Sequence, residues 1–198
     1  ALFRVAEELQ SELPRRLIDY RYKELSSFDS SDAHSLELSF PLPESGEAHR
    51  VSMTRTDAGW QSNSGEARES PAVGAASRLV AELAHLKAAN IVAESMGEAE
   101  LTGLGLNPPN ATFRVLAAPT ENGEAELLCE IGLGHVDRDT GILARAAGSS
   151  TVYRLDYALA EELPVNYAEF IAHFASKESR DAERKSTRLN SSHTSISY

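Results

Sequence analysis

Several groups of residues in this chain have the types and spacing to do chemistry. In Ile131-Gly-Leu-Gly-His135-Val-Asp137-Arg-Asp139-Thr-Gly141, His135, Asp137 and Asp139 fall at alternate positions before a glycine. An imidazole and two carboxylates so spaced could coordinate a divalent cation, but a complete calcium loop carries further oxygen ligands and a distal Glu. Those are missing, so the stretch reads as a solvated loop joining two strands. Gly103-Leu-Gly105 could open a phosphate loop, except that a dinucleotide fingerprint needs a third glycine opening a helix straight after a strand. Here Pro108 and Pro109 follow, which makes it a turn. Glu98 and Glu100 would do acid-base work only with a partner placed across a cleft. Ser149-Ser150 lacks a nucleophile-elbow context, and Asn110-Ala-Thr112 is a formal glycosylation sequon that means little without a eukaryotic secretory setting. The six histidines are scattered, with no His-x3-His. No catalytic residue, metal ligand or cofactor-binding residue is assigned, and no cofactor is expected.

Bulk properties narrow the partners. The 198 residues carry 19 basic against 30 acidic side chains, a formal charge of −11, whereas nucleic-acid binders need clustered Lys and Arg. Nucleic acid is not an expected partner. A lone cysteine, Cys129, permits neither an intrachain disulfide nor a multi-cysteine metal site, and a buried thiol is expected. No apolar run approaches the roughly 18 residues that span a bilayer.

The elements that must position these groups follow from periodicity. His34 to Phe40 alternates Leu36, Leu38 and Phe40 against polar residues, and His49 to Thr56 returns with Val51 and Met53, as strands with one buried face do. Asp57-Ala58-Gly59 then turns the chain into Trp60, a residue suited to a sheet–helix interface, and Gln61 to Ser70 reads as a loop. Thr112 to Ala117, Glu126 to Gly132, Ile142 to Ala146 and Thr151 to Leu155 form a second series of short strands, with Asn122-Gly123 as a hairpin signal between the first two. Their expected inner face is Phe113, Val115 and Ala117, then Leu127, Cys129 and Ile131, then Ile142, Ala144 and Ala146. Pro71 to Glu94 carries the longest helical pattern, with Leu79, Leu83, Leu86 and Asn90 on one face flanked by Val80 and Ile91, Ser70 at the N-cap and Pro71 at N1. The expected fold class is α+β: an antiparallel sheet of short strands with one long helix packed on one face.

The ends of the chain add two expectations. Ala-Leu-Phe-Arg-Val at the start aligns without gaps to Thr151-Val-Tyr-Arg-Leu155, and Leu9, Glu12, Leu13 and Pro14 match Leu159, Glu162, Leu163 and Pro164. This internal repeat makes the chain a fragment of a tandem array. Residues 1–28 are expected to end a preceding unit, 29–176 to form the α+β domain and 177–198 to be a disordered tail. Helical stretches should break near Pro14 and Pro164, where the ring removes a hydrogen bond and crowds the preceding turn. Residues 184–198 match translated sequencing adapter, Ser186 to His193 codon for codon, and are set aside as non-native.

The order of landmarks also resembles an uncharacterised bacterial domain-of-unknown-function family of envelope proteins encoded beside ABC-type exporters, including those linked to gliding motility. The resemblance rests on Asp19-Tyr-Arg21-Tyr-Lys23-Glu-Leu25, Gly59-Trp60, Leu104-Gly105-Leu106-Asn107-Pro108, Leu128-Cys-Glu-Ile131-Gly132 and Val152-Tyr153-Arg-Leu155. Leu104, where the family usually shows an aromatic, and Ala144-Arg145 without a preceding Tyr depart from its pattern. The family has no assigned catalytic residues, so none carries over. The resemblance implies a membrane-anchored protein on the extracytoplasmic side of a bacterial envelope, built of tandem units, its anchor outside residues 1–198. The function expected from it is a non-enzymatic accessory or scaffold module associated with a transporter complex, bound through parts outside this fragment. The alternative is an envelope hydrolase or sugar-binding enzyme that uses the acidic loop 135–139.

Overall fold

Two antiparallel meanders joined through a central pairing give the chain its frame. The computed structural model describes residues 23–42, 46–63, 72 and 74–175. In chain order these form β1 (Ala33–Pro41), β2 (Ala48–Thr56), β3 (Gly59–Ser62), α1 (Ala75–Ala84), β4 (Asn90–Ala93), α2 (Glu98–Gly103), β5 (Ala111–Ala117), β6 (Leu127–Asp137), β7 (Gly141–Ala146) and β8 (Val152–Leu155). A 3-10 turn (Tyr157–Glu161), α3 (Tyr167–Glu169) and a π-helical turn (Phe170–Phe174) follow. The strands make one eight-stranded sheet in the order β3-β2-β1-β5-β6-β7-β8-β4. Neighbouring strands run antiparallel throughout.

Period-2 alternation sorts the sheet into two unlike faces. The inner face carries Leu36, Leu38 and Phe40 of β1, Val51 and Met53 of β2, Phe113 and Val115 of β5, and Ile131 and Leu133 of β6, all buried. Against them lie Leu79, Val80 and Leu83 of α1 together with Leu163, Phe170 and Phe174 from the C-terminal segment, in one continuous core. Tyr167 closes the end of this layer, its ring stacked on His49 at 3.9 Å between centroids. The outer face is divided. Over β7 and β8 it is covered by α2 and the turn that follows, through a second small cluster of Leu101, Leu106, Leu143 and Val152. Over β2, β1 and β5 it is polar.

The expected single long helix is corrected. No helix among the described residues is long: α1 has 10 residues and α2 has 6, and the structure is chiefly sheet. The apolar spacing Leu79, Leu83, Leu86 is genuine, but only its first two members are on the helix. At Ala84 the chain leaves the helix because residues 23–28 take its last carbonyls. The Ser26 hydroxyl donates to Leu83 O, and the backbone N–H groups of Phe28 and Leu25 donate to Ala84 O and Leu86 O at 3.1 and 2.8 Å. The Ala89 N–H then donates to Arg154 O at 2.8 Å, which starts β4 along β8. Asn90 and Ile91, expected at the end of a helical face, are strand residues. The second correction is Leu127, expected inside and 43% exposed. A register shift between Val115 and Leu116 turns it outward, as a one-residue slip does to any strand residue.

β6 runs five residues past Gly132, to Asp137. Trp60 sits in β3, half-buried, and packs against the main core. The C-terminal stretch breaks on either side of Pro164, between Glu161 and Tyr167. The first copy of the proposed repeat, the Ser70-Pro71 cap and residues 176–198 lie outside the described residues.

Candidate functional site

The glycine-rich and proline-rich motifs meet on the outer face of β6. Gly132 and Gly134 have no side chains there, and the turn from Leu104 to Pro109 lies directly on them. A Cβ on Gly132 would be 2.8 Å from Pro109 Cγ, and one on Gly134 would strike the Leu104 carbonyl and stand 2.9 Å from Leu106 Cγ. Backbone bonds seal the contact: the His135 N–H donates to Leu104 O at 2.9 Å and the Asn110 N–H to Leu133 O at 2.8 Å. Leu106 is fully buried beneath the turn, in the cluster that also holds Val152. Gly103-Leu-Gly105 is thus a turn whose role is close packing.

In the acidic loop, Asp137 bonds to the loop's own backbone. Asp137 Oδ1 accepts from the Asp139 N–H at 2.8 Å and the Thr140 N–H at 2.9 Å. Those bonds, Asp139's first, hold its carboxyl below the usual carboxylate range. His135 lines a groove of about 540 Å³ between the β6 end and the start of α3, where Pro41, Asn110, Val136, Asn166 and Glu169 also line the wall. Asp137, Asp139, Glu98 and Glu100 are not among that groove's lining residues. Glu100 instead accepts from the Gly97 N–H at 2.9 Å and caps α2. Among the described residues no three His, Cys, Asp or Glu side chains gather to hold a metal ion.

The remaining candidates are structural as well. Ser149 Oγ accepts from the Thr151 N–H at 3.1 Å, and the Ser150 hydroxyl donates to Glu94 O at 2.9 Å, tying the β7–β8 turn to the end of β4. Cys129 is buried on the inner face, and burial pushes its thiol up to about 12. Neither group is an activated nucleophile.

The polar patch on β2, β1 and β5 has no counterpart in the motif reading. Arg114 donates to Glu37 at 2.8 Å and to Glu130 at 3.0 Å, an ion-pair ladder across β1, β5 and β6. Beside it lies a trough of about 470 Å³. The alternation of strand residues signals this polar face, but only register shows which side chains stand together.

The chain belongs to the family described as Domain of unknown function (DUF4340), whose model matches residues 74–175. That span runs from the residue before α1 to the last described residue. It contains the 104–108, 128–132 and 152–155 landmarks. Neither a curated protein nor a solved structure matches the chain.

Proposed function

We propose that this chain is a non-enzymatic, extracytoplasmic module of a membrane-anchored accessory or scaffold protein that works with an ABC-type transporter. The observation that carries the reading is the placement of the landmark residues. Gly132, Leu106 and Val152, which bear the family resemblance, are used to cement a turn onto a sheet, and none of them lines a reactive cleft. A domain whose signature is packing is a building block, and the resemblance supplies the setting in which such blocks stand beside exporters. The tandem array belongs to the same proposal: β8 keeps partners on both sides, β7 and β4, while its sequence counterpart at residues 2–5 would close a preceding unit. The hydrolase or sugar-binding alternative needs His135, Asp137 and Asp139 facing one cleft with Glu98 or Glu100, and the geometry of these residues does not favour it.

The test is co-purification. The full reading frame, expressed with the membrane subunit of the neighbouring exporter, is expected to purify with it in fixed stoichiometry from detergent extract and to be digested by protease added to intact spheroplasts. Recovery of the two proteins in separate fractions, or protection from external protease, would overturn the proposal.

A further inference from the structure

The trough on the outer face has a composition that fits a ligand. Strand register arranges the residues in and beside it in two rows. Ser52, Glu37, Arg114 and Glu130 stand opposite one another across β2, β1, β5 and β6, and Arg50, Ser39, Thr112 and Gly132 form the adjacent row. In the first row the arginine is bracketed by two carboxylates. In the second, Arg50 makes no ion pair among the described residues, and its row partners toward β5 are two hydroxyls. The depression exists because Ser39, Ser52 and Thr112 are short while Arg50, Glu37 and Arg114 rise around them. Leu38 and Val51 turn their side chains to the core, so only their backbone reaches its floor.

We propose that this trough binds a carboxylate-bearing saccharide, a hexuronate unit of an acidic polysaccharide. A guanidinium without an ion-pair partner among the described residues is the natural bidentate donor to a ligand carboxylate. Glu37 already accepts Arg114 through one oxygen, which leaves the other to accept from a sugar hydroxyl. The Ser39 and Thr112 hydroxyls supply donors and acceptors that suit a ring bearing several hydroxyl groups. Arg50 and the hydroxyls of Ser39, Ser52 and Thr112 together match a uronate ring, which carries one carboxylate and several neutral hydroxyls. The trough's volume lies within the range of small-molecule sites. The proposal rests on the open sheet face alone and stands apart from the transporter reading.

Titration of the full chain with trigalacturonate, followed by backbone amide chemical shifts, tests it, with maltotriose and inorganic phosphate as comparison probes. Saturable shifts are expected on β1, β2 and β5 for trigalacturonate, with maltotriose at least about tenfold weaker, the size of one charge-assisted hydrogen bond. Arg50→Gln should remove that difference, while Thr112→Val weakens both sugars, and denaturant melts of each variant check that the fold is retained. Absence of saturable shifts, equal binding of the neutral sugar, or an unchanged Arg50→Gln overturns the proposal. Phosphate binding as tight as the uronate overturns the saccharide class.

Discussion

At the scale of single residues, the two glycines of β6 carry the clearest consequence. At Gly134 the obstruction to a side chain is the backbone carbonyl of Leu104, which cannot move without pulling the turn off the sheet, and at Gly132 it is the ring of Pro109. Overpacking of this kind costs about 1 to 3 kcal/mol, and the backbone clash belongs at the upper end or beyond. Gly123, with φ of 81° and nothing within 4 Å of where a Cβ would stand, is the control, because only its left-handed backbone resists substitution, at about 1 kcal/mol. Denaturant melts should therefore rank Gly134→Ala as more damaging than Gly132→Ala, and both as more damaging than Gly123→Ala. Cys129 gives a pH dependence. Its folded thiol stays protonated up to about 12, while an unfolded cysteine ionises near 8.5. The folded state thus holds a proton that the unfolded state has lost, so the contribution is fully present below the unfolded value and declines as pH rises through this window. Stability of the wild type should fall more steeply between about pH 8.5 and 11 than that of Cys129→Ala. Parallel slopes would remove burial of the thiol as the cause. Neither effect was open to the sequence beyond its outline: Gly-Leu-Gly signals a turn or a close approach, but not which turn lies on which strand.

At the scale of elements, what was legible and what was not divides by the range of the forces. The strands β1, β2 and β5 to β8 were readable because each shows alternation or β-forming residues bounded by turn residues, and that information is local, whereas Gln61 and Ser62, read as the start of a loop, end β3. β4 was not, since Asn90-Ile91-Val92-Ala93 continues the apolar spacing of α1 and becomes a strand only through pairing with β8. Tertiary context outweighed a local pattern there, as it commonly does. α2 left a signal that went unread in the spacing of Gly97 and Glu100, where the carboxylate reaches back to cap the helix. The acidic loop shows a related limit of local spacing: Asp137 bonds to its own turn, a common use of Asp that alternate spacing cannot distinguish from ligation. The helix face itself can be tested. Leu83 is fully buried against the sheet while Arg78 is exposed. Leu83→Ala should cost about 2 to 5 kcal/mol, and Arg78→Ala less than about 0.5 kcal/mol. Similar midpoints for the two variants would mean that the buried face of α1 is wrongly placed.

At the scale of the whole molecule, the open question is where the folding unit begins. The proposed repeat would place a boundary at residue 28, because the stretch before it would match the end of a unit. The hydrogen bonds of residues 23–28 point to an earlier start. This segment takes carbonyls at and just after the C-terminus of α1 through Ser26, Phe28 and Leu25, and accepts from the Ala88 N–H at Lys23 O at 2.7 Å. Leu25 and Phe28 also pack against the main core. Without it, carbonyls that a helix end cannot satisfy internally would have to find other partners. Buried groups left unpaired cost about 1 to 3 kcal/mol each. Two otherwise identical chains, one starting at Lys23 and one at Asp29, both ending at Tyr198, separate the alternatives in a denaturant melt. The shorter chain should be less stable by at least about 2 kcal/mol, with hydrogen exchange fastest at the amides of residues 86–93, where the lost segment met the start of β4. Equal stability and equal exchange would put the boundary at residue 28, and residues 23–28 would then belong to the preceding unit and merely rest on this one.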